Sequence, residues 1–266
     1  MLRPLSVVLA LTALPVEARI PSNCIALSDA GPDRVMPAAF GDPLAEDRVR
    51  IHYIDHAEFA IEAGGLVAVT DYTGYIGVSD VVPDVVTMNN AHSSHFTDTP
   101  DPRIRHVLRG WPQDGVPAWY DLDLGDLRVR NVTTDTRGPF GEGARADGNS
   151  IFIFEAAGLC IGHLGHLHQI PSPAQYAAIG RLDVVMVPVD GGYTMTLPAM
   201  MGVVERLRAR VVIPMHWFSG ASLEAFLAGL SGEFDVVRSD GSEVEVSLDS
   251  LPDRPTILVL RPSFLP

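Results

Sequence analysis

The sequence is short of cysteine, of basic side chains and of long apolar runs, and each shortage excludes a class of protein. Two cysteines in 266 residues are too few for a cysteine-ligated zinc knuckle. Nineteen basic against 33 acidic side chains give a formal net charge of −14. This balance argues against nucleic acid or an anionic membrane surface as a partner, because both require a basic footprint. No glycine-rich phosphate-binding loop follows a predicted strand, so nothing indicates a nucleotide-dependent function.

The N-terminus has the pattern of a secretory signal peptide. Arg3 precedes the 12-residue apolar stretch PLSVVLALTALP, and Val16-Glu17-Ala18 fits a small-residue cleavage site. Twelve apolar residues are too few to cross a bilayer, which needs about 20. We therefore predict a signal peptide over 1–18, a single domain over 19–266, and a periplasmic or secreted protein without membrane insertion after cleavage. A buried N-terminal strand is the alternative interpretation.

Export would permit a disulfide between the two cysteines, Cys24 and Cys160. Cys160 lies in the apolar segment AGLCIG, so an inert buried thiol is the competing interpretation. The sequence leaves both interpretations open.

The order of the predicted elements indicates an α/β protein. Residues 48–63 alternate as a strand, Gly64-Gly65 predicts a hairpin turn, and residues 66–71 form the next strand. Helices then alternate with strands, and the segment 172–180, SPAQYAAIG, has the N-cap, the proline and the terminal glycine of a helix. This order suits two mixed sheets packed face to face with helices outside, and periodicity alone does not distinguish them from another layered α/β fold. Residues 136–149, rich in glycine and charge, predict a surface loop near an active face.

Potential metal ligands follow the ends of five predicted strands. They are Asp71; Asn90, His92 and His95; His163, His166 and His168; Asp190; and His216. Ligand sites of layered α/β folds gather where strand ends and their loops converge. Any one of these histidines alone could equally be a hydrogen-bonded core or surface residue. Together they predict a metal site, with zinc as the ion that imidazole suits best.

Six segments between about residues 48 and 230 carry a family resemblance. The segments, in chain order, are IHYIDHAEFAIE, VAVTD, NAHSSH, CIGHLGH, LDVVMVPVDGGYTM and VIPMHW. They stand where the metallo-β-lactamase superfamily has its G-H-x-x-x-x-I strand, its strand ending in aspartate, H-x-H-x-D-H, H-x-G-D, D-V-x-x-x-P-V-G-G and its last strand and histidine. The chain resembles that superfamily, in the branch that includes ascorbate-6-phosphate lactonase. The resemblance implies an α/β fold, a four-layer αββα sandwich of two mixed β-sheets with a metal site on one edge.

The metal-binding motif departs from the family pattern at three positions. The first histidine of H-x-H-x-D-H has become Asn90 and its aspartate Ser94, and His166 replaces the carboxylate of H-x-G-D. A neutral imidazole cannot bridge two ions as a carboxylate does. Two dications roughly 3.5–4 Å apart repel by about 19 kcal/mol at an effective dielectric of about 20, and the two aspartates that normally offset this repulsion are missing. The sequence therefore predicts one tightly held ion, with a second and weaker one only if Asp190 or Asp98 contributes.

Carried over by position, the resemblance assigns His92 and His163 to one metal site and His95 and His216 to the other. It gives the bridging position to His166. We predict that some of these five histidines hold a single zinc ion.

Further residues are predicted to assist the ion. Asp190 is a candidate ligand or general base and His168 a candidate ligand or proton shuttle, although a solvated loop aspartate and a solvent-facing histidine are the simpler alternatives. Asp71 would fix the tautomer of a ligand histidine by accepting its hydrogen bond. The residues predicted to support the site without binding the ion are Asp71, Asn90, Ser94 and His56.

Two functions are compatible with these residues. The first is an exported hydrolase in which a metal-bound hydroxide attacks an ester, lactone or phosphoester of a small-molecule substrate. The second is a non-catalytic metal-binding protein that has lost hydrolase activity, an interpretation that the missing carboxylates favour. A serine nucleophile is not indicated, because no G-x-S-x-G elbow surrounds Ser94.

Overall fold

The computed structural model describes residues 22–25, 40, 42–138 and 143–266. The predicted signal peptide over 1–18 lies outside these residues. Among the described residues, no helix has both the length and the apolar composition needed to span a membrane.

The described residues form strands, three α-helices and one short 3₁₀ helix at Leu248–Ser250. In chain order the strands and α-helices are β1 (Val49–Asp55), β2 (Glu58–Ala63), β3 (Leu66–Thr70), β4 (Val85–Met88), β5 (His106–Arg109), β6 (Asp121–Asp123), β7 (Arg128–Arg137), β8 (Ala144–Ala156), β9 (Leu159–His163), α1 (Pro173–Ile179), β10 (Val184–Pro188), α2 (Leu197–Leu207), β11 (Val211–Met215), α3 (Gly220–Leu230), β12 (Asp235–Arg238), β13 (Glu243–Val246) and β14 (Thr256–Val259).

The strands make two mixed sheets, as the sequence predicted. The first sheet has the order β13-β1-β2-β3-β4-β5, antiparallel as far as β3 and parallel beyond it. The second has the order β12-β14-β11-β10-β9-β8-β7-β6, parallel from β12 to β9 and antiparallel from β9 to β6. The carboxyl ends of β9, β10 and β11 therefore meet at one edge of the second sheet.

A core between the sheets holds the sandwich together. Phe59 and Ile51 of the first sheet pack with Phe152, Ile161 and Met186 of the second, and all five are buried. Burying a side chain of this size contributes about 1.5–3 kcal/mol relative to leaving it exposed. This core fixes the position of one sheet relative to the other, so loops from both sheets can contribute to one site.

The three described helices all cover the second sheet. Ile179 of α1, Met200 of α2 and Phe226 of α3 pack on its outer face. Helix α1 begins at the predicted N-cap, Ser172, and the structure adds a capping box in which the side chains of Ser172 and Gln175 each accept the other's backbone N–H. The outer face of the first sheet packs instead, in the part of the chain that the structure describes, against loop residues such as Trp111.

Two predicted local elements were wrong. Residues 48–63 are two strands, because the chain turns at His56 and Ala57 between β1 and β2. Residues 136–149 are mostly strand rather than loop, since Arg137 pairs with Ala144 and Thr136 with Arg145. Residues 139–142 at the tip lie outside the described residues. The apolar alternation continues through His56 and Ala57, so nothing in the sequence marked the first turn, and the glycine and charge of residues 136–149 favoured a loop.

The disulfide that the sequence left open is present. Cys24 and Cys160 are bonded and buried, with their Cα atoms 5.7 Å apart. The bridge ties residues 22–25 to β9, and the backbone N–H of Arg181, between α1 and β10, also donates to the carbonyl oxygen of Cys24 at 2.8 Å.

A Cys24→Ser variant is expected to lose about 2–4 kcal/mol of unfolding free energy, because the bridge closes a very long loop of the unfolded chain. The two cysteines are separated by 136 residues in sequence. Denaturant unfolding of the variant and of the wild type, each with and without reductant, measures the loss. Reductant should destabilise only the wild type. Equal unfolding free energies of the wild type and the variant without reductant would contradict the prediction.

Candidate metal centre

The candidate metal centre lies at the edge where the two sheets bring their loops together. Loops after β3, β4, β9, β10 and β11 converge there on the turn between β1 and β2. The residues that meet are His56, Asp71, His92, His95, His166, His168, Asp190 and His216.

Two carboxylates orient two imidazoles so that their Nε2 atoms face each other. Nδ1 of His95 donates to Oδ2 of Asp71 at 2.8 Å, and Nδ1 of His216 donates to Oδ2 of Asp190 at 3.0 Å. All four side chains are buried. Because each Nδ1 carries the proton, each Nε2 presents a lone pair. The contact that the sequence predicted for Asp71 is therefore present.

The two lone pairs point at each other. Nε2 of His95 and Nε2 of His216 lie 3.2 Å apart. Lone pairs at this distance repel unless a cation lies between them. Two nitrogens bound to one tetrahedral zinc ion at about 2.0–2.1 Å are themselves about 3.4 Å apart, so the spacing fits a shared metal ion. A shared proton is the other cation that fits.

His56 favours the metal ion over the proton. Its Nε2 is buried and has no hydrogen-bond partner, and one ring nitrogen from each of His56, His95 and His216 lies within 4.8 Å of the others. A proton can be shared by two nitrogens but not by three. Burial and the neighbouring His216 and His95 lower the pKa of His56 to about 4, so its ring is neutral and can act as a ligand at pH 7. The sequence had predicted only a supporting role for His56.

Backbone strain is concentrated at this centre. His56, Asp71 and His216 have φ angles of 42°, 46° and 58°, a region that side-chain-bearing residues rarely adopt. Each such residue costs about 1–3 kcal/mol and persists where its surroundings fix it. Here the carbonyl oxygen of His56 accepts bonds from the Tyr53 hydroxyl (2.7 Å) and from the backbone N–H of His216 (2.9 Å), which ties the first sheet to the second.

Asp190 cannot be the free general base or ligand that the sequence predicted. Its Oδ1 accepts the backbone N–H groups of Gly192, Tyr193 and Thr194, and its Oδ2 accepts the Thr194 hydroxyl and His216 Nδ1. Burial alone would raise the pKa of Asp190, but these hydrogen bonds hold it well below its usual value. The carboxylate therefore orients His216, and both of its oxygens are already occupied by hydrogen bonds.

His166 and His168 form a second imidazole pair beside the first. The His166 ring lies 4.7 Å from that of His95 and 5.1 Å from that of His216, between ring centroids. Its Nδ1 is 2.6 Å from Nε2 of His168, which stands behind it. Burial and His95 lower the pKa of His166, and burial and Arg137 lower that of His168 to about 4, so both rings are neutral at pH 7.

His92 lies at the exposed rim of the centre. Its ring centroid is 5.8 Å from that of His95 and equally far from that of His166. Its Nδ1 is 2.8 Å from the hydroxyl oxygen of Ser94. Asn90 borders the same opening. Ser94 and Asn90 thus lie beside the rim histidine, outside the group of three candidate ligand histidines.

His163 is not placed as the ligand that the sequence predicted. It is fully buried, and its Nε2 lies 2.7 Å from the carbonyl oxygen of Ala57. Its Nδ1 accepts the backbone N–H of Gly165 and the side-chain N–H of Asn89, both at 3.1 Å. Both ring nitrogens are therefore occupied by the protein itself, and His163 joins the sheets under the centre.

A His163→Gln variant is expected to keep the metal stoichiometry of the wild type and to lose about 1–3 kcal/mol of unfolding free energy, because buried polar partners are left unpaired. Metal analysis after dialysis and denaturant unfolding provide the two numbers. Loss of the ion from a folded variant would restore His163 to the ligand set.

The model of a β-lactamase superfamily domain matches residues 50–216, more than half of the chain, from β1 to the final histidine of the centre. The chain belongs to the metallo-β-lactamase superfamily. The narrower resemblance to the ascorbate-6-phosphate lactonase branch stays a prediction.

Relatives within the metallo-β-lactamase superfamily are distant in sequence. The UPF0173 protein PF0020 of Pyrococcus furiosus is 24% identical over 201 residues, which are 67% of this chain and 89% of that protein. A UPF0173 metal-dependent hydrolase of Methanosarcina mazei is 20% identical over 233 residues, 79% of this chain and 95% of that protein. A crystal structure from Thermotoga maritima, described as a Zn-dependent hydrolase of the superfamily, has a TM-score of 0.58 at 26% identity and covers 80% of this chain and 98% of its own.

Three residues that position this metallo-β-lactamase centre were missed in the sequence. Asn89 donates from its backbone N–H to Oδ1 of Asp71, and Asn149 accepts the backbone N–H of His166. Gly165 has a φ of +60°, and a Cβ there would lie 2.6 Å from Cβ of Asn89 and 2.5 Å from Oδ1 of Asn149. The pair Asn89-Asn90 at a strand end indicated polar residues near the site, but not that Asn89 would be the one to bond to Asp71.

Two cavities open on either side of His92. The arginine cavity, of about 440 Å³, is lined by Asn90, His92, Arg137, Arg145, His166 and Tyr193. The aromatic cavity, of about 570 Å³, is lined by Tyr53, His56, His92, Trp217 and Phe218. The candidate ion site therefore lies between a cationic opening and an apolar one.

Proposed function

We propose that this protein is an exported metal-dependent hydrolase that binds one divalent ion through His56, His95 and His216, with zinc as the preferred ion. The observation that carries the proposal is the facing pair of Nε2 lone pairs, 3.2 Å apart, beside the unpartnered Nε2 of His56. The UPF0173 relatives described as metal-dependent hydrolases support the reaction class.

The protein's own residues prepare the site. Asp71 and Asp190 keep the protons of His95 and His216 on Nδ1, so that both Nε2 lone pairs face the ion. When bound there, a divalent ion polarises a carbonyl or phosphoryl oxygen and acidifies water. Neutral imidazoles leave the charge of the ion undiminished, which strengthens both effects. Three histidines leave a coordination position open, as catalytic zinc sites require.

The two cavities suggest a small ester, lactone or phosphoester. A substrate lying across His92 would place a polar or anionic end near Arg137 and Arg145 and an apolar end against Trp217 and Phe218. Their combined size suits a small molecule rather than a polymer.

Export is supported by the disulfide, because such bonds persist in oxidising compartments. The apolar segment before residue 18 agrees with this location. Expression of the full chain followed by N-terminal sequencing of the mature protein should give a first residue of Arg19. A protein that retains residues 1–18 and is found in the cytoplasm would refute export.

The function is tested by metal analysis and turnover of the same sample. We expect one zinc ion per chain, and zinc-dependent cleavage of at least one of p-nitrophenyl acetate, dihydrocoumarin and bis(p-nitrophenyl) phosphate. Chelation should abolish the turnover and zinc should restore it. One zinc ion per chain with no turnover of any probe would favour the non-catalytic metal-binding protein, and absence of metal binding would refute both functions.

A further inference from the structure

His166 occupies the position that carries a bridging carboxylate in the family pattern, and its hydrogen bonds fix its tautomer. The hydrogen bonds run from a backbone amide, that of Arg137, through His168 to His166. The N–H of Arg137, at the end of β7, donates to Nδ1 of His168 at 2.7 Å. An amide N–H can only donate, so Nδ1 of His168 carries no proton. The proton of the neutral ring is therefore on Nε2.

The His168 tautomer fixes that of the neighbouring ring, His166. Nε2 of His168 lies 2.6 Å from Nδ1 of His166, and since Nε2 carries the proton, it donates. Nδ1 of His166 is then an acceptor without a proton. The neutral His166 ring must carry its proton on Nε2, the nitrogen that points away from His168.

A nitrogen that carries a proton cannot bind a metal ion. The geometry points to His166 as a hydrogen-bond donor to a substrate oxygen, not a metal ligand, with His168 and the Arg137 amide as the groups that fix its tautomer. This inference rests on the proposed function and adds to it a residue that contacts substrate. His166 lines the arginine cavity and lies within 5.1 Å of the His216 ring, between centroids, so its N–H borders the space beside the ion.

Further hydrogen bonds hold the residues around His166 and His168 in place. Oδ1 of Asn149 accepts the backbone N–H of His166 at 2.8 Å. The Arg137 guanidinium donates to the carbonyl oxygens of residues 192–194 on the facing loop. The Arg137 backbone and its side chain thus hold both sides of the arginine cavity, and the tautomer relay starts from a main-chain atom that side-chain motion does not move.

Cobalt titration separates a donor from a ligand. The purified wild-type chain, His166→Ala, His166→Gln and His95→Ala are titrated with Co²⁺, and the visible spectrum and stoichiometry are recorded. Both His166 variants should bind one Co²⁺ with the wild-type spectrum, whereas His95→Ala should bind none. A folded His166 variant that loses the ion or changes its spectrum would make His166 a ligand and overturn the inference. Absence of Co²⁺ binding by the wild type would refute the proposed function instead.

Binding of inorganic phosphate to the Co²⁺ forms tests the donor. His166→Ala should weaken phosphate binding about 10- to 100-fold, the loss expected for one hydrogen bond to a charged group. His166→Gln should stay within about threefold of the wild type, because its amide N–H can replace Nε2–H. Equal binding by the wild type and His166→Ala would overturn the donor role.

Variants of His168 test the hydrogen-bond relay while leaving the donor residue, His166, unchanged. His168→Gln can accept the Arg137 N–H and donate to His166, so it should retain the wild-type Co²⁺ spectrum and phosphate affinity. His168→Ala releases the tautomer, which lets Nε2 of His166 become a lone pair near the ion. We expect its Co²⁺ spectrum to change and its phosphate binding to weaken. Identical spectra and affinities for the two His168 variants would contradict the relay.

Discussion

A His216→Ala variant is expected to bind no stoichiometric zinc and to lose at least about 10³-fold in kcat/KM, since metal-ion catalysis contributes several kcal/mol of transition-state stabilisation. The substitution removes one of the two facing Nε2 atoms and leaves Asp190 buried without its imidazole partner. His56 and His95 alone would offer two ligands, too few for a stable site. Metal analysis after dialysis and turnover of whichever probe the wild type cleaves measure the two losses.

The matched control is His106→Ala, a histidine at the start of β5 that takes no part in the metal centre. It removes the same atoms from the chain and should retain one zinc ion and the wild-type kcat/KM. Thermal unfolding of both variants shows that any difference is not a failure to fold. One zinc ion per chain in a folded His216→Ala protein would refute the proposed ligand set.

The edge of the sheets at which the site lies could be predicted from the sequence. Asp71, His95 and His216 each follow an apolar strand, and parallel strands bring their carboxyl ends to the same edge. The structure provides the register: Pro188 of β10 pairs with Met215 of β11, which brings Asp190 and His216 side by side. The strand order was compatible with two mixed sheets, and the family resemblance favoured that arrangement over other layered α/β folds.

Which histidines belong to the candidate ligand set could not be predicted, because this depends on the direction in which each side chain points. A shift of one residue at a strand end turns a side chain to the other face. His163 is still part of β9 and points into the core, whereas His166 follows the Gly165 turn and reaches the centre. His56 was hidden because its turn contains no glycine or proline and the apolar alternation continues through it.

The role of Asp190 was mistaken for a related reason. A carboxylate beside a metal site can face the ion or stand behind a ligand histidine, and the sequence shows only that it is near. The five hydrogen bonds on its two oxygens come from the loop that it begins and from His216. In the proposed site the ligands are neutral imidazoles, and two buried aspartate side chains hold the protons of His95 and His216 on Nδ1, so metal affinity should be sensitive to substitution of these aspartates.

An Asp190→Asn variant is expected to weaken zinc binding about 10- to 100-fold, the usual effect of removing a carboxylate behind a ligand histidine. An amide N–H directed at Nδ1 of His216 would move the imidazole proton to Nε2, where the ring can donate to Nε2 of His95 across the existing 3.2 Å. A proton would then take the place of the ion, so the metal-free variant should stay folded while its affinity falls. Competition with a chromogenic zinc chelator measures the affinity, and Asp240→Asn, at an exposed position, is the control. Wild-type affinity in Asp190→Asn would mean that the tautomer of His216 does not govern metal binding.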